Sequence, residues 1–207
     1  MAQFFQIHPE TPQARLIVRA VDIIHSGGVI VYPTDSSYAI ACHMGDKHAL
    51  DRIRRIRQLD DKHNFTLVCK DLTQISTFAK ISNDAHRLIK ALTPGAFTFI
   101  LDATREVPRR LQHPKKKTIG IRIPNNAIAR QLVENLDEPL FSSTLVLPGE
   151  EDAMIDPYEI RERLEHEVDL VIDGGVVKYE PTTIISFSGQ TAEIIRQGKG
   201  QAPMLEK

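Results

Sequence analysis

The feature that most constrains this chain is an alternation of short apolar runs with segments whose apolar residues recur at helical spacing. Residues 29–33 are an apolar run typical of a buried strand, whereas residues 47–57 place their apolar side chains on one side of a helix. A second strand-like run, residues 38–44, follows the first with no helix between them, as antiparallel neighbours do. We therefore predict an α/β fold whose twisted, mixed sheet of parallel and antiparallel strands is flanked by helices.

The same patterns predict the remaining elements. Thr11-Pro12 is typical of a helix start, because a Thr side chain caps free N–H groups and Pro fits the first helical position, and Gly27-Gly28 marks the end of that helix. Further helices are predicted at residues 47–57, 126–136 and 157–166, with two short ones within 71–92. Strands are predicted at residues 29–33, 38–44, 65–69, 96–103, 118–123, 140–146, 168–173, 182–188 and 192–196.

Length and composition are typical of one globular domain. The 207 residues are 42% apolar and 26% charged, so we expect a single domain over residues 1–207 with a core from about residue 14 to about residue 200. The apolar runs are far shorter than the roughly 18 residues of a membrane span. Residues 1–7 lack the pattern of a secretory signal, and we expect a cytoplasmic protein with no membrane partner. Cys42 and Cys69 match no zinc or redox spacing. Each lies in an apolar, strand-like run, which predicts buried thiols.

Charge is distributed unevenly along the chain. Of the 26 Lys and Arg residues 20 precede residue 131, against only 11 of the 27 Asp and Glu residues, although the net charge is −1. This asymmetry favours a surface that attracts phosphate groups. The sequence has no G-x-x-x-x-G-K-[ST] loop and no G-x-G-x-x-G turn, so a nucleotide would be held in another way. Because H-E-x-x-H and G-x-S-x-G are also absent, we predict no metal site and assign no catalytic residue.

Two segments could bind a small polar substrate. The loop after the first predicted strand carries Thr34 and Ser36, whose hydroxyls could bind a carboxylate or an amino acid, although a simple Asp/Ser turn explains the loop equally well. Arg122 lies in the middle of a predicted strand, where it must face either a ligand cleft or a salt bridge, because an unpaired buried charge is costly. Its planar guanidinium suits a phosphate or a carboxylate.

Basic clusters and strand-end hydroxyls are further candidates. One basic cluster lies where a predicted helix runs into a loop, and a second precedes the strand of Arg122. Exposed lysine runs are most often solvated surface, and Ser and Thr at strand ends most often belong to caps and turns. The candidates are Arg52, Arg54, Arg55, Arg57, Lys62, Arg109, Arg110, Lys115, Lys116, Lys117 and Arg196, with the hydroxyls of Ser143, Thr182 and Thr183.

Taken in order, these segments resemble the YrdC/YciO family from about Leu16 to Gly198. Residues 33–38, Pro-Thr-Asp-Ser-Ser-Tyr, are similar to the family's P-T-[DE]-T-x-Y-G. Residues 94–98 are similar to its P-G-P-x-T, and residues 119–124 to its G-x-R-x-P strand. The order of the motifs is the specific part of the resemblance. The family's D-G-G, P-S-T and I-R-x-G stretches are matched by residues 173–175, 181–183 and 195–198.

The resemblance implies a mixed α/β sheet with a basic concave face, which in this family binds double-stranded RNA and nucleotides. Active relatives make L-threonylcarbamoyladenylate from L-threonine, bicarbonate and ATP for tRNA modification, typically with Mg²⁺, and no tightly bound cofactor is implied. The nucleotide would be bound by Arg57, Lys62, Thr98, Ser143 and Arg196, and a threonine-like substrate by Thr34, Ser36, Arg122, Thr182 and Thr183. The RNA-binding surface would consist of Arg52, Arg54, Arg55, Arg109, Arg110, Lys115, Lys116 and Lys117.

Two residues depart from the family's synthase pattern. Leu59 stands where the synthases have the Arg of a K-x-R pair, and Leu145 where they have the Asn of S-x-N. Loss of a cation and an amide from a phosphate site lowers a rate by orders of magnitude. We therefore expect binding of RNA or an adenine nucleotide, with weak or altered adenylate chemistry. The alternatives are an active threonylcarbamoyladenylate synthase and a protein-interaction module that uses the acidic C-terminal part.

Overall fold

A computed structural model describes residues 1–59, 65–189 and 191–205. Within these ranges the chain forms a ten-stranded sheet, six α-helices and two short 3-10 helices. In this part of the chain no helix has the length and apolarity needed to cross a bilayer. The α-helices are α1 (Ala14–His25), α2 (Lys47–Arg57), α3 (Leu72–Phe78), α4 (Asn83–Leu92), α5 (Ala127–Leu136) and α6 (Pro157–Leu164). The strands are β1 (Gln3–Gln6), β2 (Ile30–Pro33), β3 (Tyr38–His43), β4 (Thr66–Val68), β5 (Phe97–Asp102), β6 (Thr118–Arg122), β7 (Leu140–Thr144), β8 (Leu170–Asp173), β9 (Thr183–Ser186) and β10 (Glu193–Arg196).

The sheet is mixed, as the sequence predicted. Its strand order is β1-β8-β2-β3-β7-β4-β6-β5-β9-β10. The pairs β1/β8, β2/β8, β4/β6 and β5/β9 are parallel, and the other five pairs are antiparallel. The predicted α/β architecture, a mixed sheet flanked by helices, is therefore confirmed.

Helices pack on both faces of the sheet. On one face α1 and α5 pack against each other and against β2, and they bury Ile17 and Leu132 completely. On the other face a larger apolar core joins strand residues such as Leu67 and Phe99 to apolar residues of α2, α3, α4 and α6. Burial of these large side chains is the main favourable contribution to folding.

The face beneath α1 and α5 continues beyond them over the second half of the sheet. Ala41 of β3 belongs to the core under these helices, and its register partner on β7 is Ser142. Residues paired across a sheet point to the same side, so the register traces this face from strand to strand. The row continues from Ser142 through Thr66, Gly120 and Ile100 to Ser186.

The N-terminal elements differ from the prediction. α1 begins at Ala14 with Gln13 as its N-cap residue, and the predicted start at Thr11 is wrong. The hydroxyl and the backbone N–H of Thr11 both bond the ring Nδ1 of His8, each at 3.0 Å, so Thr11 is engaged in a turn before the helix. Strand β1 was not predicted, because its four residues show no alternation and its partner β8 is distant in sequence.

Both thiols are buried, as predicted. Burial raises the pKa of Cys42 to about 12 and also raises the pKa of Cys69. Because the thiolate is the reactive form, we expect iodoacetamide at about pH 8 to modify the folded protein only through rare opening, and to modify both thiols quickly in denaturant. Mass spectrometry of a timed alkylation checks this. Rapid labelling of either thiol in the absence of denaturant would contradict it.

Candidate functional site

A cleft of about 790 Å³ lies over the polar half of the sheet. Its floor consists of side chains from β4, β5, β6 and β9, and its rim includes the C-terminal end of α2, the end of β7 and strand β10. Hydroxyls lie on three neighbouring strands of the floor, at Thr66, Thr98 and Thr118. Glu193 is the one acidic residue among the described residues that line the cleft. Such a cleft suits a polar, anionic ligand.

Gly120 keeps the centre of this floor free of a side chain. A Cβ built at Gly120 would lie 2.9 Å from the hydroxyl oxygen of Thr66 and 3.4 Å from Cγ2 of Thr98. It would also lie 2.9 Å from the backbone oxygen of Phe65. Any other residue would therefore push the neighbouring strands or threonines apart, and glycine lets Thr66 and Thr98 pack closely over the backbone of β6.

Arg57 is the last residue of α2 and lies at the rim of the cleft. Its Nε donates to the carbonyl of Val146 at 3.1 Å, and its Nη1 donates to the hydroxyl of Ser143. Burial lowers the pKa of Arg57 to about 10, which the nearby Tyr179 partly opposes. No carboxylate of the described residues forms an ion pair with it. A partly buried guanidinium without a counterion is a strong feature for binding an anion.

A second arginine, Arg196, borders the cleft on β10, five strands away from β7. Its Nε and Nη2 donate to the carbonyl of Thr182 at 3.3 and 2.9 Å, and the Thr182 hydroxyl lies 2.9 Å from the hydroxyl of Thr98.

Four of the five residues predicted to bind a nucleotide thus line one cleft, and the fifth, Lys62, lies outside the described residues. The four are Arg57, Thr98, Ser143 and Arg196.

The loop after β2 forms a hydroxyl-stabilised turn and also reaches the cleft. Thr34 Oγ1 donates to the carbonyl of Ser37 at 2.8 Å and accepts from the backbone N–H of Ser36 at 3.1 Å. Ser36 lines the cleft. The turn interpretation therefore applies to Thr34. The turn places Ser36 at the cleft, where its binding of a substrate stays a prediction.

Arg122 forms a buried ion pair with Asp35. Its Nη2 lies 2.6 Å from Asp35 Oδ1, and the two side chains are 9% and 8% exposed. Asp35 Oδ2 also accepts from the backbone N–H of Asn125 at 2.8 Å, and the carbonyl of Asp35 accepts from Lys199 Nζ at 2.6 Å. Of the two alternatives for Arg122, the structure thus shows the salt bridge. In the part of the chain that is described, its buried Nε makes no hydrogen bond, and Arg122 is not among the residues that line the cleft.

The two threonines after Pro181 have different surroundings. Thr182 lines the cleft, whereas Thr183 is fully buried. Thr183 Oγ1 donates to the carbonyl of Gly200 at 2.6 Å and accepts from the backbone N–H of Gly198 at 2.9 Å. Among the residues predicted for a threonine-like substrate, Ser36 and Thr182 line the cleft, while the hydroxyls of Thr34 and Thr183 bond the protein's own backbone.

The predicted RNA-binding residues divide into two groups. Arg52 forms an ion pair with Asp169 at 2.7 Å. Arg54 donates to the carbonyl of Arg110 at 3.2 Å, and Arg110 donates to the carbonyl of Gly45 at 2.8 Å. These three guanidinium groups are thus engaged by the protein itself. The exposed members are Arg55, Arg109, Lys115, Lys116 and Lys117, of which Lys116 also lines the cleft.

The two leucines that depart from the synthase pattern do not line the cleft. Leu145 is fully buried in the larger core, and its backbone N–H donates to the carbonyl of Tyr38 at 3.0 Å. Leu59 is partly buried against the same core. An amide at residue 145 would therefore bury polar atoms among apolar side chains.

Several residues of the cleft were not predicted from the sequence. Thr66, Thr118 and Ser186 are strand hydroxyls that alternate with core residues, and this period of two is the signal that could have found them. Tyr179 and His113 lie in loops and carry no such signal.

The model of the Sua5/YciO/YrdC family, described as "Telomere recombination", matches residues 22–198. This chain therefore belongs to the Sua5/YciO/YrdC family, as its motifs predicted. Within the family it is similar to YciO of Escherichia coli, at 55% identity over 97% of both chains. The crystal structure of E. coli YciO superimposes with a TM-score of 0.93 over 97% of this chain and 98% of that chain.

Two further relatives extend the comparison. An uncharacterized protein of Haemophilus influenzae is 58% identical, over 99% of this chain and 100% of its own length. The crystal structure of P. abyssi Sua5 complexed with L-threonine shares the fold, with a TM-score of 0.86 at 22% identity. That match covers 94% of this chain and 57% of the Sua5 chain.

Proposed function

We propose that this chain is a cytoplasmic, single-domain protein that binds an adenine nucleotide in the cleft, and that its threonylcarbamoyladenylate chemistry is weak or altered. The observation that carries the proposal is the partly buried guanidinium of Arg57, which has no acidic partner among the described residues. An uncompensated buried charge destabilises a fold and is therefore typical of a site where a ligand supplies the counterion. Arg196 offers a second cation to the same ligand.

The proposed second substrate is a threonine-like amino acid. Ser36 and Thr182 line the same cleft as Arg57, and the guanidinium of Arg122 holds the loop of Ser36 through the carboxylate of Asp35. Hydrogen bonds from a guanidinium to a carboxylate are about twice as strong as neutral ones. The complex of P. abyssi Sua5 with L-threonine, on the same fold, supports this choice of ligand.

The chemistry of the family's active members requires positioning rather than a nucleophilic side chain. A carbamate oxygen of N-carboxythreonine attacks the α-phosphorus of ATP. The bond between this phosphorus and the oxygen shared with the β-phosphorus breaks, and pyrophosphate leaves with the electron pair of that bond. Arg57 and Arg196 would neutralise phosphate charge while Ser143 and Thr98 orient the phosphates.

A divalent metal would reach this cleft together with the nucleotide. Mg²⁺ takes most of its ligands from phosphates and water and needs only one or two carboxylates. Glu193 could supply one of them. The described residues contain no group of three His, Cys, Asp or Glu side chains placed to hold a metal.

Calorimetric titration with ATP and Mg²⁺ tests the binding part of the proposal. We expect saturable binding at one site per chain, weakened by pyrophosphate because the two ligands share the phosphate site. Incubation with ATP, L-threonine and bicarbonate tests the chemistry, and we expect the adenylate above the protein-free background but in far smaller amounts than an active synthase makes. Absence of ATP binding would overturn the proposal.

The alternative is an active synthase, and it is favoured by the position of Leu59 and Leu145 outside the described cleft lining. A Leu59→Arg variant distinguishes weak or altered chemistry from an active synthase. If a missing cation limits the chemistry, the variant should make the adenylate at least about tenfold faster, whereas an enzyme that is already active should gain nothing. A Leu59→Gln variant is the matched control for loss of leucine packing.

We further propose that the exposed basic residues bind RNA through its backbone. Arg109 and the three lysines at residues 115–117 are exposed. Because phosphate contacts release counterions, we expect RNA affinity to fall steeply between about 50 and 200 mM salt and to show little sequence preference. Filter binding over this range checks the prediction. Affinity that does not change with salt would contradict it.

A further inference from the structure

A second basic pocket, of about 640 Å³, lies outside the cleft. Its cations are Arg105, Arg109 and Lys117, and none of the described residues that line it is acidic. The neighbouring Glu106 lies 3.4 Å from Arg105, so three positive charges face one adjacent carboxylate. The pocket therefore has a net positive charge and is open to an anionic ligand.

A hydrogen-bonded turn at residues 113–117 connects this pocket to the cleft. His113 Nδ1 accepts the backbone N–H groups of Lys115 at 3.2 Å and Lys116 at 3.1 Å, and the backbone N–H of Lys117 donates to the carbonyl of His113 at 2.9 Å. Lys117 adopts a φ of 56°. Of the two consecutive lysines, Lys116 lines the cleft and Lys117 lines the second pocket. The turn thus places a lysine at each cavity. Lys117 Nζ donates to the carbonyl of Pro114 at 2.9 Å, and two of its three N–H donors are left for a phosphate.

We propose that an RNA strand bound at the cleft continues over the turn at residues 113–117 and places backbone phosphates in the second pocket, on Arg105, Arg109 and Lys117. The inference rests on the RNA-binding part of the proposed function and names the surface that serves it. RNA fits better than a single nucleotide because the cations continue from one cavity into the next. Guanidinium groups suit its phosphates, which recur along the strand.

The arginines of α2 do not offer an equal path. Arg52 is paired with Asp169, and Arg54 donates to a backbone carbonyl. A phosphate that bound them would have to displace these partners. Arg105 was not among the residues predicted from the sequence, and the pocket adds it to the proposed RNA surface.

The test is an Arg105→Ser/Arg109→Ser double variant, with Arg87→Ser as the matched control. Arg87 is an exposed arginine of α4 whose described partner is Asp84, and it lines neither cavity. For an RNA about 16 nucleotides long we expect the double variant to bind at least about tenfold more weakly. The slope of the logarithm of the affinity against the logarithm of the salt concentration should be smaller in magnitude by about 1.4, because two phosphate contacts are lost. Binding of ATP and of an RNA of about 4 nucleotides should not change.

Two outcomes overturn the inference: an unchanged affinity for the long RNA, and an equal loss of affinity for ATP or the short RNA. Equal melting temperatures of the variants exclude a folding defect. If the parent chain binds long RNA but not ATP, and the double variant loses the RNA, the inference stands and the nucleotide part of the proposed function falls. If the parent chain binds ATP but no RNA, the inference falls and the nucleotide part stands.

Discussion

An Arg122→Met variant is expected to unfold with a free energy about 3–5 kcal/mol lower than that of the parent chain. The reason is the buried pair of Arg122 and Asp35, whose side chains are less than one tenth exposed and whose closest charged atoms lie 2.6 Å apart. Removal of the guanidinium leaves the Asp35 carboxylate buried, with the backbone N–H of Asn125 as its remaining described partner. A buried charge that has lost its counterion costs far more than an exposed one.

Denaturant unfolding of a small set of variants measures this effect. An Asp35→Asn/Arg122→Met double variant should recover a large part of the loss, because neither charge remains to be buried. Arg130→Met, at an exposed residue of α5, is the control and should change the unfolding free energy by less than about 0.5 kcal/mol. A loss below about 1 kcal/mol for Arg122→Met would show that the pair is not desolvated, and would contradict the account.

The ion pair also holds the loop that places Ser36 at the cleft. Asp35 is bonded to β6 through Arg122 and to the C-terminal segment through Lys199. Ser36 is its neighbour in the chain and lines the cleft. Loss of the pair should therefore weaken binding of the amino-acid substrate as well as the fold.

An Arg57→Met variant is expected to lose about 10- to 100-fold in affinity for ATP while keeping its stability. A hydrogen bond from a charged donor to a phosphate contributes about 1.5–3 kcal/mol, and about 1.4 kcal/mol is a factor of ten in affinity. The stability should change by less than about 1 kcal/mol, because the lost bonds to Ser143 and Val146 are offset by removal of a partly buried charge that has no carboxylate partner among the described residues.

Arg55→Met is the matched control for this variant. Arg55 lies on the same helix, but its side chain is 72% exposed and does not line the cleft. Calorimetry with ATP should give the same dissociation constant for Arg55→Met as for the parent chain. Equal losses in the two variants would indicate general electrostatic attraction instead of a phosphate site at Arg57.

The sequence predicted most of the fold because its local signals agree with the tertiary structure. Helix α2 runs over Lys47–Arg57 as predicted, since Asp46 caps it by accepting from the backbone N–H of Ala49. Strand β1 was missed because it is defined by its pairing with β8, which is distant in the sequence, and no local pattern indicates such a pairing. Thr11 was misplaced for a similar reason, as its hydroxyl bonds His8 instead of capping α1.

The sequence predicted which residue types line the candidate site. It did not predict which of these side chains face the cleft and which bond the backbone or pack in the core. Arg57 and Arg196 were expected near one ligand, and they line one cleft. Thr183 was expected to face a substrate, yet its hydroxyl bonds the backbone of Gly198 and Gly200, because a strand-end hydroxyl serves equally well inside a turn. Leu145 was interpreted as a lost ligand contact, but its side chain is part of the core. Spacing along a chain does not report which side of a strand end faces the cleft.

A crystal structure of this chain with ATP and Mg²⁺ would show where the nucleotide binds. We expect one nucleotide in the cleft, with its phosphates within hydrogen-bonding distance of Arg57 and Arg196 and with Ser143 and Thr98 beside them. A nucleotide bound away from these four side chains, or an empty cleft at saturating ATP, would rule out the proposed nucleotide site.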